Sequence, residues 1–347
     1  VPTSSSALKI LIVRVSSLGD VVHNMPMVTD LHRHYRNAEI DWVVEEAYTA
    51  LVGLQCHVRR VIPFALRRWR KTWWTSATRS EISQFYQALR ATTYDLVLDT
   101  QGLLKTSLVM RLAALAPGGS RVGLANATED SGYEALSRIF HTRSVSVGLR
   151  THAVQRARLV AAGALGYPVE GPASFGLAAP QTSGAVAWLP DVPYAVFFHG
   201  TARAAKQWPQ SSWVAIGQHL AQHAIPVLLA WGSTAEEATA HQLAVHIPSA
   251  IVLPRLSMME AIMLAQKARL VIGVDTGLTH VAAAYCRPTV ELYCDSPRWK
   301  TEGNWSPSII NLGERDTAPS IDQVQQAVDY LLSQEVLDTA DVQDVRR

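Results

Sequence analysis

The segment Val274-Asp275-Thr276-Gly277-Leu278-Thr279-His280 follows an apolar, β-branched run (RLVIG) and precedes a helix-like one (VAAAYC). A carboxylate at a strand tip, then Thr-Gly, then a helix start sets the free N–H groups of a first helical turn beside an acceptor side chain. Gly277 lets a ligand approach the backbone closely, and such a place suits a phosphate. Asp275 as a plain N-cap, Gly277 as a turn glycine and His280 as a helix-surface histidine explain the same residues equally well.

Other strand ends in the same half carry further candidates. After YAVFFHG come Thr201, Arg203 and Lys206, a hydroxyl and two cations able to neutralise a diphosphate. After VLLAWG comes Glu236 near a helix start, placed to accept from ribose hydroxyls or merely to cap the helix. A solvated basic loop and a cap would explain each alone; together these strand-end positions read better as a nucleotide pocket. In the first half, VSSLGD places Asp20 just past the first strand, with Gly19 allowing the tight turn. Asp20 is either an N-cap or a general base that takes a proton from an attacking hydroxyl.

The most unusual stretch is RRWRKTWW, residues 67–74, in which Arg67, Arg68, Arg70 and Lys71 alternate with three tryptophans, Arg59 and Arg60 lying upstream. Cations interleaved with tryptophan suit an anionic, partly apolar partner, such as a phosphorylated lipid at a membrane surface or single-stranded nucleic acid. A net charge of only +2 argues against general nucleic-acid affinity.

Several chemistries are excluded by pattern. GxGxxG and GxxxxGK[ST] are both absent, which removes the usual dinucleotide fingerprint and P-loop phosphoryl transfer. No Asp-x-Asp pair offers a divalent-metal clamp, so the charge of a departing diphosphate would fall to cationic side chains and helix N-termini. Three cysteines without metal-type spacing fit a reducing compartment. No apolar run reaches 18 residues, and the start shows no basic segment followed by an apolar one; the expectation is a cytoplasmic protein.

Positioning these residues requires an alternating framework. LKILIVRV, EIDWVV and YDLVLDT read as strands, residues 20–35 and 102–116 as helices. Residues 168–192, rich in Pro, Gly, Ala and Ser, read as a linker, after which the βα rhythm restarts with YAVFFHG and runs through IPVLLAW, AIVL and RLVIGV. A helix at 320–334 closes the pattern. The fold class expected is α/β, two αβα sandwiches in tandem with parallel sheets.

With SSLGDVVHNMP, DWVVEEAY, RRWRKTWW, LDTQGLLKTS, HAVQRARL, KQWP, WGSTAEE and VDTGLTHVAAA in this order, residues 8–330 resemble the bacterial lipopolysaccharide heptosyltransferases, a family of ADP-heptose glycosyltransferases. The basic Trp-rich stretch and DWVVEE point to its type I members. The resemblance implies a GT-B fold. Its two Rossmann-like domains (1–175 for the acceptor, 176–320 for ADP-heptose) would face each other across a cleft, and a last segment, 321–347, would return to the first. It implies inverting, metal-independent transfer of L-glycero-D-manno-heptose from ADP-heptose to the Kdo of Kdo2-lipid A, at the cytoplasmic face of the inner membrane, with no cofactor and no nucleic-acid partner.

Carried over by position, Asp20 matches the catalytic base, Lys206 the lysine on donor phosphate and sugar, and Glu236 the ribose-binding glutamate. Thr201 matches the first of two phosphate-binding threonines, the second being Ala202 here. Asp275, Thr276, Gly277 and His280 match the loop for donor sugar and diphosphate, and Leu256 stands where some relatives place a methionine near adenine. Arg67, Arg68, Arg70 and Lys71 are the acceptor candidates. After Tyr293, where many relatives read Gly-Pro-Thr-Asp-Pro, this chain has Cys294-Asp295-Ser296-Pro297-Arg298. Two alternatives stand beside this expectation: a type II enzyme adding the second heptose, and a non-catalytic shell binding a nucleotide sugar or lipid.

Overall fold

The computed structural model describes residues 7–181, 186–201 and 203–344, with side chains through residue 334. Contacts divide the chain into two compact units between Ala178 and Ala179.

The first unit holds strands β1 (Lys9–Val13), β2 (Glu39–Glu45), β3 (Val58–Phe64), β4 (Tyr94–Asp99), β5 (Leu115–Leu124) and β6 (Arg143–Val145). Its helices are α1 (Leu18–His34), α2 (Thr49–Val52), α3 (Leu66–Thr72), α4 (Ser76–Arg90), α5 (Leu104–Leu112) and α6 (Ala153–Leu165). The strands lie in the order β3-β2-β1-β4-β5-β6, every pair parallel. Ile10, Leu11, Ile12 and Val13 are fully buried, as expected of a strand covered on both faces. On one face Leu11, Val13, Val43 and Val97 pack with Trp69, Phe85 and Val109 from α3, α4 and α5. Pro26 lies within α1 without ending it.

The second unit repeats the plan with β7 (Ala195–Phe198), β8 (Val227–Leu229), β9 (Ile251–Val252), β10 (Leu270–Val274), β11 (Thr289–Tyr293) and β12 (Ile309–Gly313). Helices α7 (Gln210–Gln222), α8 (Thr234–His246), α9 (Met258–Lys267), α10 (Gly277–Ala284) and α11 (Ile321–Asp344) surround it. Its order, β12-β11-β10-β7-β8-β9, is again all parallel and reverses between β7 and β10. In such sheets ligands bind beyond the carboxyl ends of the strands flanking the reversal. Phe198 pairs with Gly273 across it, so the segments leaving β7 and β10 emerge side by side.

Two expectations need adjustment. Residues 102–116 do not form one helix: α5 stops at Leu112, and Leu115 begins β5. Much of the expected linker is docked: Gln55 bridges Leu177, Cys56 donates its N–H to Gly176, and Phe175 is buried in the first unit. The described side chains of α11, including Val324, Val328 and Leu331, belong to the second unit's core. No helix among the described residues is long and apolar enough to cross a membrane.

Candidate active site

In the second unit, Asp275 stands one residue beyond β10 and just before α10, half-buried at the reversal point. Lys206, from the loop after β7, brings Nζ to 2.5 Å from Asp275 Oδ2. Ser296 donates its hydroxyl to the same oxygen at 2.6 Å, and His280 Nε2 lies 3.0 Å from Oδ1. Thr301 donates to Oδ1 at 3.4 Å. Burial pushes the Asp275 carboxyl up, but His280 and Lys206 outweigh it and hold it well below the usual carboxylate range.

His280 is not a surface histidine. It is 2% exposed, with Nδ1 3.0 Å from Glu291 Oε1 on β11. Burial disfavours its charge, but Glu291 and Asp275 on opposite ring nitrogens win, and the imidazolium is pushed up to about 10. Glu291, fully buried, also accepts from the Tyr293 hydroxyl at 2.9 Å and the Gly303 N–H at 3.0 Å. The result is a balanced set of two carboxylates and two cations beside a helix N-terminus. Its surface member, Lys206, can turn to an anion without leaving a buried charge wholly unpaired. Thr279 locks the strand-to-helix turn by donating to Val274 O at 2.9 Å. A Cβ on Gly273 would lie 2.0 Å from that hydroxyl, so the turn demands glycine.

The remaining donor candidates sit at neighbouring strand ends. Thr201 follows β7 and is half-buried; Ala202 lies outside the described residues. Arg203 pairs with Asp295 in the loop after β11. Glu236 closes a capping box on α8, its Oε2 accepting from the N–H groups of Gly232 at 2.7 Å and Ser233 at 3.2 Å. Capping is therefore real, and it also fixes the carboxylate against Gly200, where any Cβ would meet Glu236 Cδ at 2.5 Å. Nearby His199 is buried, and its Nε2 has no hydrogen-bond partner among the described residues. Thr276 and Gly277 open α10, and Leu256 lies half-buried just before the Ser257 cap of α9.

In the first unit, Asp20 occupies the third position of α1 and accepts from Ser17 through both N–H (3.1 Å) and hydroxyl (2.9 Å). Its Oδ1 lies 2.7 Å from Arg14 Nη2, and Arg14 is anchored in turn on Thr100 O at 2.8 Å, beyond β4. Burial raises the Asp20 carboxyl, yet Arg14, the Ser17 N–H, Arg156 and His23 together depress it well below normal. The Asp20 side chain keeps 33% of its exposure, so its capping role leaves it accessible. Arg156 is a second buried cation here, lowered to about 10 by burial and by Arg14.

The basic stretch separates into tied and untied cations. Asp41, fully buried on β2, takes Arg59 at 2.8 Å and Arg60 at 2.9 Å, which makes those two structural. Arg68 bridges Glu46 and Glu81 at 2.9 and 2.8 Å. Arg67 lies 3.9 Å from Glu45. Exposed Arg70 and Lys71 have no carboxylate partner among the described residues. Trp69 is core, whereas Trp73 and Trp74 are 65% and 60% exposed.

Sequence patterns did not single out Glu291, His199 or Arg14. Glu291 hides inside an apolar strand, and an ion pair such as Arg14–Asp20 leaves no local spacing signal. Ser296 gives the Cys294–Arg298 loop a place: it delivers a hydroxyl to Asp275.

Residues 82–330 match the family described as glycosyltransferase family 9 (heptosyltransferase). Lipopolysaccharide heptosyltransferase 1 of Pseudomonas aeruginosa is 39% identical over 307 residues, covering 88% of this chain and 84% of its own. The structure described as E. coli heptosyltransferase WaaC with ADP matches with a TM-score of 0.80 at 32% identity, over 93% of this chain and 100% of that one. E. coli heptosyltransferase WaaC with ADP-2-deoxy-2-fluoro heptose matches with a TM-score of 0.72 at 33% identity, over 94% and 100%. These likenesses span both units and assign the GT-B fold class.

Proposed function

The chain belongs to glycosyltransferase family 9, the heptosyltransferases, and from that premise we propose that it moves L-glycero-D-manno-heptose from ADP-heptose to the Kdo of Kdo2-lipid A, with inversion and without a metal ion. The observation that carries this reading is Lys206 poised on Asp275 where the second sheet reverses, beside the N-terminus of α10. That is a site built for a diphosphate. The relatives described with ADP and with a fluorinated ADP-heptose support the donor class.

In the proposed step, Asp20 takes the proton from the acceptor hydroxyl as its oxygen bonds to the anomeric carbon. The bond from that carbon to the diphosphate oxygen breaks, and ADP leaves with the electron pair from the opposite face. Lys206 and the α10 N–H groups offset the charge gathering on the departing diphosphate. Glu236 and Thr201 hold ribose and phosphate, and Leu256 lies against adenine. Arg70 and Lys71, exposed and without a carboxylate partner among the described residues, meet the acceptor's phosphates at the cytoplasmic face of the membrane.

The test is ADP release from ADP-heptose in EDTA, with Kdo2-lipid A present, replaced by its monoheptosylated form, or withheld. Release that requires Kdo2-lipid A supports the proposal. Release only with the monoheptosylated acceptor would make the protein a type II enzyme, and donor binding without release would make it a binding shell.

A further inference from the structure

Helices α3, α4 and α5 enclose a groove of about 800 Å³ in the first unit. Trp69 and Phe85, both buried, belong to its floor; Trp73, Ile82, Tyr86 and Leu108 are exposed along its walls. Leu108 is 51% exposed and Trp73 65%, an apolar lining that a free surface does not favour. The groove is not uniformly apolar: Arg70, Arg79 and Lys105 also line it. Neither Arg70 nor Arg79 is paired with a carboxylate among the described residues. An apolar trough edged by cations is complementary to an anionic amphiphile, with its chain in the trough and its phosphate on the edge.

One end of the groove is tied to the proposed chemistry. Lys105 Nζ donates to Ser16 Oγ at 3.4 Å, and the next residue, Ser17, donates to Asp20 at 2.9 Å. The Lys105 edge of the trough therefore lies beside the Asp20 segment within one unit, in reach of a lipid whose head lies by Asp20. We propose that the groove holds a fatty-acyl chain of the phosphorylated lipid acceptor, with Arg70, Arg79 and Lys105 on its phosphates. This rests on the assignment of Asp20 as the base in the proposed transfer.

The experiment compares the full chain with the double variant Ile82→Gln/Leu108→Gln, on opposite walls, and with Ser83→Trp, which fills the trough from α4. Both are surface changes whose folding is checked by thermal unfolding. Each is assayed with the acylated acceptor and with its fully deacylated form, which keeps the sugars and phosphates. The expected result is a KM for the acylated acceptor raised about tenfold, because the acyl chain no longer buries its apolar surface in the trough. The deacylated acceptor should be unaffected. Equal effects on both acceptors, or none on either, overturn the proposal.

Dodecyl phosphate, titrated as monomer against tryptophan fluorescence, tests the groove apart from the reaction. If the parent transfers to neither acceptor yet binds this probe, and the variants lose it, the transfer reading falls while the groove stands as an alkyl-phosphate site. If the variants lose binding to acceptor-free anionic vesicles while the acylated acceptor's KM is unchanged, the groove serves the bilayer and the proposal falls.

Discussion

Lys206 Nζ and Asp275 Oδ2 lie 2.5 Å apart, joining the loop after β7 to the tip of β10 at the reversal of the second sheet. The pair is a carboxylate that would repel a diphosphate and a cation that would hold one. Its partners resolve the conflict: His280 and Ser296 also bind Asp275, so the lysine is the member able to move. A hydrogen bond to a charged group contributes about 1.5–3 kcal/mol. Lys206→Met should therefore raise the Kd for ADP and ADP-heptose about ten- to hundredfold, read by calorimetry. An unchanged Kd would remove Lys206 from the donor site.

The buried His280 makes a pH prediction of definite sign. Its imidazolium, ordinarily titrating near 6.5, is pushed up to about 10 by Glu291 and Asp275 against the opposing effect of burial. Between those values the folded chain binds more protons than the unfolded one, so this contribution to stability is complete below pH 6.5 and is lost as pH rises towards 10. Asp275, depressed by its partners, acts oppositely: its contribution is present above 3.8 and is lost as pH falls. Urea unfolding of His280→Gln should show lower stability than the parent at pH 6.5 and a gap that closes towards pH 10. A gap independent of pH would mean that the ring is neutral in the fold.

What was legible in the sequence follows from what is local. β1, β2, β4 and β10 are short, largely apolar runs, and a buried parallel strand needs little more. Asp20, Lys206, Glu236 and Asp275 fall at strand ends, a position visible in the alternation itself. β5 was hidden because Leu115-Ala116-Pro117-Gly118-Gly119 reads as a breaker, whereas the sheet absorbs it as a register shift against Tyr94 and Leu96. The docking of residues 175–178 was equally invisible, since it depends on Gln55, 120 positions away from Phe175 in the chain. His280 looked like a helix-surface residue because its counter-charge, Glu291, lies on another element. Asp41 within DWVVEE serves the fold: it anchors Arg59, Arg60 and Tyr94. Cations from that stretch thus had to be sorted by partners that no spacing rule supplies.

That sorting separates cations that the sequence treats alike. Arg68, held by Glu46 and Glu81, keeps α3 against α4 and β2's end; Arg70 and Lys71 face solvent without a carboxylate partner among the described residues. Neutralising the latter two (Arg70→Gln/Lys71→Gln) should raise the KM for the phosphorylated acceptor several-fold at low salt. The effect should shrink as ionic strength rises, since the screening length is about 10 Å at 0.1 M. Arg68→Gln should instead lower the melting temperature with little change in the salt dependence of KM. If Arg68→Gln and the double variant respond to salt alike, the division between tied and untied cations has no functional meaning.

Arg14 and Asp20, 2.7 Å apart, set the last prediction. A carboxylate held well below its ordinary range stays ionised, ready to accept a proton, through the whole neutral region, though as a weaker base. Asp20→Asn keeps the cap on α1 but removes the base, and should lower kcat by about 10²- to 10⁴-fold while ADP-heptose binding persists. Arg14→Gln removes the largest opposing influence on Asp20 and leaves burial to raise the carboxyl. That variant should therefore retain activity at alkaline pH and lose it on acidification, through an acid limb in kcat that the parent lacks. A kcat for Asp20→Asn within a few-fold of the parent would show that Asp20 is only the capping-box partner of Ser17 at the start of α1. A flat profile for Arg14→Gln, with Asp20→Asn inactive, would show that Arg14 does not tune the base and that the Ser17 N–H, Arg156 and His23 hold it ionised without Arg14.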